Sequence, residues 1–408
     1  MCHFVGKFLN FSKSDEVLEK QLCVTSIPQS EPTYWTSYLS LDDYRLLHHF
    51  NTVVSTLISV KLSDNPFQKH FISMALQEGP LQAAILSVAA SHLAAASPHD
   101  GADVIASKHH RVAIQSLSTA LKSPVERLSD TVLAAVLMLQ VRRQFIGNMD
   151  EGGEYHLSAA KELIRLRGGP SAVSTSCSQF LFILFSYHDI LGSIAHARAP
   201  FIRDQKHLYS DTTNALLSSA SDILCIASDI SALQPMKNGT VSASDTEIQS
   251  LVQMLEYKLE TWHIPDDIAK NTELANTAIA YQAAASIYLF RVAYNIGAPH
   301  PRTVYRVRLC LDAIAKVPVT SPLVSMHVWP LFTGGCEAID PQDRLFAVQR
   351  FEEMYNNRRM SSLIRVREAM ETVWRCKDLE GGDNRPELMV NLGCLEVLNC
   401  LGLRVDLV

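Results

Sequence analysis

From residue 41 onward, apolar side chains recur at intervals of three and four with polar residues filling the gaps. Leu46, Leu47, Phe50, Val53, Val54, Leu57 and Ile58 fall on one helical stripe, preceded by a capping-box-like start at Ser40 and Asp43. Asn65-Pro66 then opens a second helix, with proline where a missing N–H costs nothing. Gly79-Pro80 closes that helix and starts an alanine-rich one running through His92. The same period predicts helices over Val104 to Leu121, Asp130 to Arg143 and Glu154 to Arg167. The last of these carries Lys161, Arg165 and Arg167 towards the negative end of its dipole, and Gly168-Gly169-Pro170 terminates it.

The second half repeats the pattern. Leu274, Ala278, Tyr281, Ala285, Tyr288, Leu289 and Val292 hold one face, and Asp340-Pro341 caps a helix through Leu345, Val348, Phe351 and Tyr355. Leu363, Val366, Met370, Val373 and Trp374 line the next. No alternating β-branched run bounded by turns argues for a sheet, and Val304 to Leu309 reads as well as helix. The expected fold is all-α, a large body of stacked antiparallel helices numbering about 12–15. Residues 1–40 read as a partly ordered lead-in and 41–408 as the helical body. The turn-rich stretch 234–244 (QPMKNGTVSAS) is the expected hinge between two lobes.

Composition narrows what such a body does. Of 408 residues, 47% are hydrophobic and 19% charged, which suits helices buried by other helices, and the net charge of −6 leaves no basic excess for holding phosphates. Nine cysteines are scattered with no C-x-x-C spacing, so they read as reduced, small hydrophobes. The N-terminus lacks a secretory h-region, and the apolar runs Thr131–Val141 and Phe180–Tyr187 are too short to span a bilayer. A soluble chain in a reducing compartment, without membrane contact, is expected.

Candidate chemistry is sparse. His188-Asp189, with His196 eight residues on and His109-His110 upstream, resembles the adjacent ligands of HD-type phosphohydrolases, but no further ligand set follows at a matching spacing. A hydrogen-bonded polar patch is the preferred reading. His48-His49 and His109-His110 point about 100° apart on a helix, so neither pair grips one metal. Gly152-Gly153, Gly168-Gly169, Gly334-Gly335 and Gly381-Gly382 read as helix punctuation. Arg142-Arg143 and Arg358-Arg359 read as solvated faces. The aromatics Trp329, Phe332, Phe346, Phe351, Tyr355 and Trp374 read first as core and second as an effector pocket. No catalytic, cofactor-binding or metal-binding residue is therefore assigned, no DNA-binding residue in this chain, and no cofactor.

Several segments together resemble the fungal-specific transcription factor domain, the helical regulatory region of zinc-cluster transcription factors. Residues 44–60 with Asn65-Pro66-Phe67 are similar to its opening helices, 80–94 to its alanine-rich helix ending A-x-H-L, and Lys108 to Leu117 to the helix that follows. Residues 156–169 (HLSAAKELIRLRGG) match its H-L-x-G-A pattern, with Ser158-Ala159 where Gly-Ala is usual. Residues 187–191 (YHDIL), Ala199-Pro200 and above all 328–338 (VWPLFTGGCEA) complete the likeness. It implies a nuclear regulator of a secondary-metabolite or other metabolic gene cluster, not an enzyme, whose partners are proteins of the transcription machinery or related regulators, as homo- or heterodimers. Family members usually begin with a six-cysteine zinc cluster, whereas only Cys2 and Cys23 precede Cys177 here. Direct DNA contact is accordingly not expected from these residues. The competing expectation is a non-DNA-binding protein that dimerises with or titrates zinc-cluster factors.

Overall fold

Proline and short polar side chains open the helices where the sequence places them. The computed structural model describes residues 39–97, 101–146, 154–202, 220–381 and 393–408. Every regular element among these is helical, and none is a strand. The chain is of the all-α class. Helices of seven residues or more are numbered here in chain order.

Helix α1 (Leu41–His49) widens into a π-helical stretch over Phe50–Val54 before closing at Ser55–Leu57. A second π-helical stretch, Phe67–Ile72, runs into Ser73–Ala75. Asn65 joins the two, its Oδ1 accepting from the Phe67 N–H at 3.0 Å and its Nδ2 donating to the Ser55 carbonyl at 2.9 Å. Phe67, Phe71 and Phe180 then pack edge to face with centroids 5.0–5.5 Å apart. Each such pair adds about 0.5–1.5 kcal/mol to the burial of its area.

Three helices of the first half are buried almost all round. They are α2 (Pro80–Ala96), α4 (Asp130–Arg142) and α6 (Ser176–Ala195). A helix apolar on every side belongs inside. Around them lie α3 (Ala102–Lys122) and α5 (Tyr155–Leu166), whose polar faces reach solvent. After α5, Gly168 and Gly169 turn back at φ 102° and 73°, with the Gly169 N–H bonded to the Ile164 carbonyl. That is the left-handed close that glycine makes without strain.

The second half is built on α9 (Thr272–Tyr294), flanked by α7 (Ser221–Lys237), α8 (Asp245–Thr261), α10 (Pro301–Ala315) and α11 (Val328–Cys336). Helix α12 (Pro341–Arg358), α13 (Ser361–Gly381) and α14 (Cys394–Cys400) complete the chain order. Val304 to Leu309 lies inside α10. The stretch 234–244 is divided: α7 continues through Lys237 with Pro235 in its last turn, and a Ser244–Glu247 capping box starts α8. Residues 41–408 form one compact unit.

Two readings from sequence are corrected. Arg358 is 5% exposed and Arg142 9%, and Arg143 faces the C-terminal Asp406 at 3.9 Å, so these arginines do not form solvated faces. Gly334 and Gly335 lie in the last turn of α11, next to its end at Cys336, and both are buried. Of the other glycine pairs, Gly152-Gly153 and Gly382 lie outside the described residues. No single described helix is long and apolar enough to cross a membrane; Phe67–Ala75 with Pro80–Ala96 has the length but bends by 120°.

Candidate functional site

The most polar place in the interior is the segment that follows α11. Glu337, 2% exposed, accepts from Arg291 at 2.8 Å on both carboxylate oxygens, from Lys377 at 2.9 Å and from the Ala298 N–H at 2.9 Å. Burial pushes the Glu337 carboxyl pKa up, but the Lys377 and Arg291 charges outweigh burial and hold it below the ordinary carboxylate range. Two cations thus face one buried anion. Lys377, itself 3% exposed, also donates to the Cys336 carbonyl at 2.9 Å.

Around this centre α11 is locked by close contacts. The Trp374 indole donates to the Gly335 carbonyl at 2.7 Å. A Cβ on Gly335 would stand 2.3 Å from the Met370 sulfur, so any larger residue forces the Met370 side chain to move. The Cys336 thiol is fully buried beside the same charges, and burial pushes its pKa well up. The VWPLFTGGCEA segment therefore supplies a core tryptophan (Trp329), a helix-packing glycine, a thiol and a buried carboxylate within nine residues.

His188 and Asp189 do not converge on one point. Asp189, fully buried, accepts from Arg198 at 3.0 Å and from the N–H groups of Phe201 and Ile202 at 2.7 and 3.2 Å. Burial raises its pKa, and these partners only partly offset the rise. It organises the chain after α6. His188 is buried with its pKa lowered to about 4, chiefly by desolvation, near Asp406 and Arg143 of other elements. His196 bonds the Gly192 carbonyl at 2.9 Å, and Glu154, 3.6 Å away, accepts from Arg198 at 2.6 Å. His109 faces Asp43 at 3.8 Å. Among the described residues no three His, Cys, Asp or Glu are placed to hold a metal.

The aromatic cluster is split between two roles. Trp329, Phe332 and Trp374 are core, and Phe346 is half-buried. Phe351, itself buried, and Tyr355 line an open groove of about 250 Å³ between α12 and α13, with Glu352, Asn356, Leu363, Ile364 and Arg367. It is a surface groove, not an enclosed pocket among the central aromatics.

Sequence reasoning missed a histidine contact. His49 Nε2 and His92 Nδ1 lie 2.9 Å apart. Both rings are neutral at physiological pH, His49 at about 3 and His92 at about 4, mainly because burial disfavours their charge. The three-and-four spacing placed His49 and His92 on separate helices but carried no signal that they meet.

Compared with known proteins, residues 45–405 match the model of one family, the fungal specific transcription factor domain. No curated protein and no solved structure matches the chain. The family match takes in both buried centres, the groove between α12 and α13, and the segments compared above from residue 45 onward.

Proposed function

The chain belongs to the fungal specific transcription factor domain family and is a fungal transcription regulator; from that membership we propose that it acts in the nucleus on a secondary-metabolite or other metabolic gene cluster. The observation that carries this reading is the family match over residues 45–405, nearly the whole helical body. In this reading the body is a non-enzymatic scaffold that works through protein partners. Its net charge of −6 and its inward-turned Arg142, Arg350 and Arg358 support that assignment, because phosphate contacts need cations at the surface. Tagging the protein in its host and comparing chromatin occupancy with transcript changes on deletion tests it. Occupied promoters next to genes that respond are expected; neither occupancy nor any transcript change refutes the reading.

A second reading has its own support. Leu41 and Tyr44 of α1 and Val104, Val112 and Ile114 of α3 are exposed apolar residues, and Asp43 of α1 lies against His109 of α3. Exposed apolar surface of this kind suits a dimer face. In that case the chain pairs with, and titrates, a zinc-cluster member of the same family. Mixing it with such a member and measuring promoter binding separates the two: titration lowers binding in proportion to added chain.

A further inference from the structure

We propose that the slot between α4, α5 and α6 is a docking site for an extended partner segment carrying an acidic residue between two aliphatic ones, and that the chain's own residues 405–408 are its resident competitor. Gln140 and Arg143 from α4 and its end, Leu157 from α5, and His188 and Gly192 from α6 line the slot. After α14 the chain turns at Gly402, φ 66°, and then runs to Val408 without regular structure. Val405 is 4% exposed and Leu407 2%, alternate residues of an extended run that both face inward. Between them Asp406 faces Arg143 at 3.9 Å, with both side chains largely buried.

The slot is built for a negative charge at that position. Beside Arg143 stands Arg365 of α13, which donates to the Arg143 carbonyl at 3.3 Å and to the Ile146 carbonyl. Burial lowers the pKa values of Arg365 and His188, and the Asp406 charge is the largest effect in the other direction at both. Glu154, the acidic residue of the slot walls, is matched by Arg198 at 2.6 Å and does not oppose an incoming carboxylate.

Two features mark segment 405–408 as a replaceable occupant. Among the described residues, no backbone N–H or C=O of 404–408 bonds to the helices, and the Val408 N–H turns back to the Asp406 carboxylate at 3.3 Å. Buried side chains and the Arg143–Asp406 pair alone hold the segment. It also leaves the walls incompletely paired. Gln140 Oε1 and His188 Nδ1, on side chains of residues 4% and 2% exposed, have no hydrogen-bond partner among the described residues, beside about 20 Å³ of space. Buried polar atoms are nearly always paired. A partner segment with an amide or hydroxyl side chain beside its acid supplies those bonds, whereas Val405, Leu407 and Val408 do not.

Being tethered, the resident segment competes at an effective concentration on the order of millimolar. It therefore gates the slot: only a segment that reads the walls better displaces it. This holds whichever genes the protein regulates.

The probe is the synthetic peptide LGLRVDLV, residues 401–408, with or without fluorescein. Fluorescence anisotropy on the full chain should show it binding Asp406→Lys, whose own segment Arg143 repels, roughly tenfold or more tightly than the unaltered chain. The same peptide carrying Asp406→Lys should not bind. In the unaltered chain, isotope-labelled at leucine methyls, millimolar unlabelled peptide should move the Leu407 methyl signals to solvent-exposed positions. That measurement decides alone if Asp406→Lys does not fold. Equal binding to both chains, no binding to folded Asp406→Lys, equal binding of the lysine peptide, or Leu407 methyl signals unmoved at millimolar peptide overturns the proposal.

Discussion

The guanidinium of Arg358 donates to the backbone carbonyl of Leu57, joining the end of α12 to the last turn of the first helix across 301 positions of sequence. The same side chain donates to the carbonyls of Ser321 and Pro322 at 2.8 and 3.4 Å. Burial lowers its pKa to about 10, which leaves it charged at neutral pH. One cation thus caps carbonyls from two separate parts of the chain, where water does not reach. Arg358→Met should cost about 1–3 kcal/mol for each carbonyl left buried and unpaired. Arg358→Lys should recover little, since a point charge lacks the planar fork. Urea unfolding followed by tryptophan fluorescence measures both.

Glu337 should be the most sensitive carboxylate in the protein. Glu337→Gln removes the buried carboxylate that Lys377 and Arg291 face, a loss of about 3–5 kcal/mol. Glu352, half exposed and paired with Arg367, is the control: Glu352→Gln should change stability by less than about 0.5 kcal/mol. Equal effects in the two variants would show that the buried centre is not what holds α11 against α9 and α13.

At Gly335 the issue is space. Gly335→Ala sets a methyl against Met370 and should destabilise by about 1–3 kcal/mol through overpacking. Shortening the opposing side chain in Gly335→Ala/Met370→Ala should cost less than the sum of the two single changes. A double-mutant cycle on thermal unfolding reads the difference, and strict additivity would contradict the contact.

Stability should fall steeply with mild acid. Burial is the largest cause of the lowered pKa values of His92, His156 and His188, at about 4, and of His49 and His327, at about 3. Each group is neutral when folded, whereas unfolded it takes up a proton below about 6.5. The unfolded state then binds more protons, so stability is full above that pH and declines as pH drops towards the folded values. Each histidine contributes up to about 1.4 kcal/mol per pH unit in that window. Melting temperatures at pH 7.5, 6.5 and 5.5 should show little change in the first step and a large one in the second. His327→Gln should make the decline shallower. A flat profile from pH 7.5 to 5.5 would refute this account of the buried rings.

The helical class was legible because punctuation and period agreed. Asp130, Pro80 and Pro341 start helices where the spacing predicts, and Gly168-Gly169 ends one. What was hidden depends on neighbours distant in sequence. A paired arginine reads as a solvated face until the partner carbonyls, such as Leu57 for Arg358, are known. Gly334-Gly335 reads as punctuation and does sit in the last turn of α11, but sequence spacing does not show that Met370 and Cys310 lie against it. Pro235 reads as a linker residue, yet α7 runs through it to Lys237 and forgoes the hydrogen bond its missing N–H would have made. The π-helical stretches at Phe50–Val54 and Phe67–Ile72 keep the apolar stripe while changing its pitch, so periodicity alone did not separate them from α-helix.

The central claim, that this helical body regulates transcription, is tested most directly by genome-wide chromatin occupancy of the tagged protein in its host, paired with transcript profiles of the deletion strain. The account predicts occupancy at promoters of a metabolic gene cluster whose transcripts change when the protein is lost. Absence of promoter occupancy together with an unchanged transcriptome would contradict it.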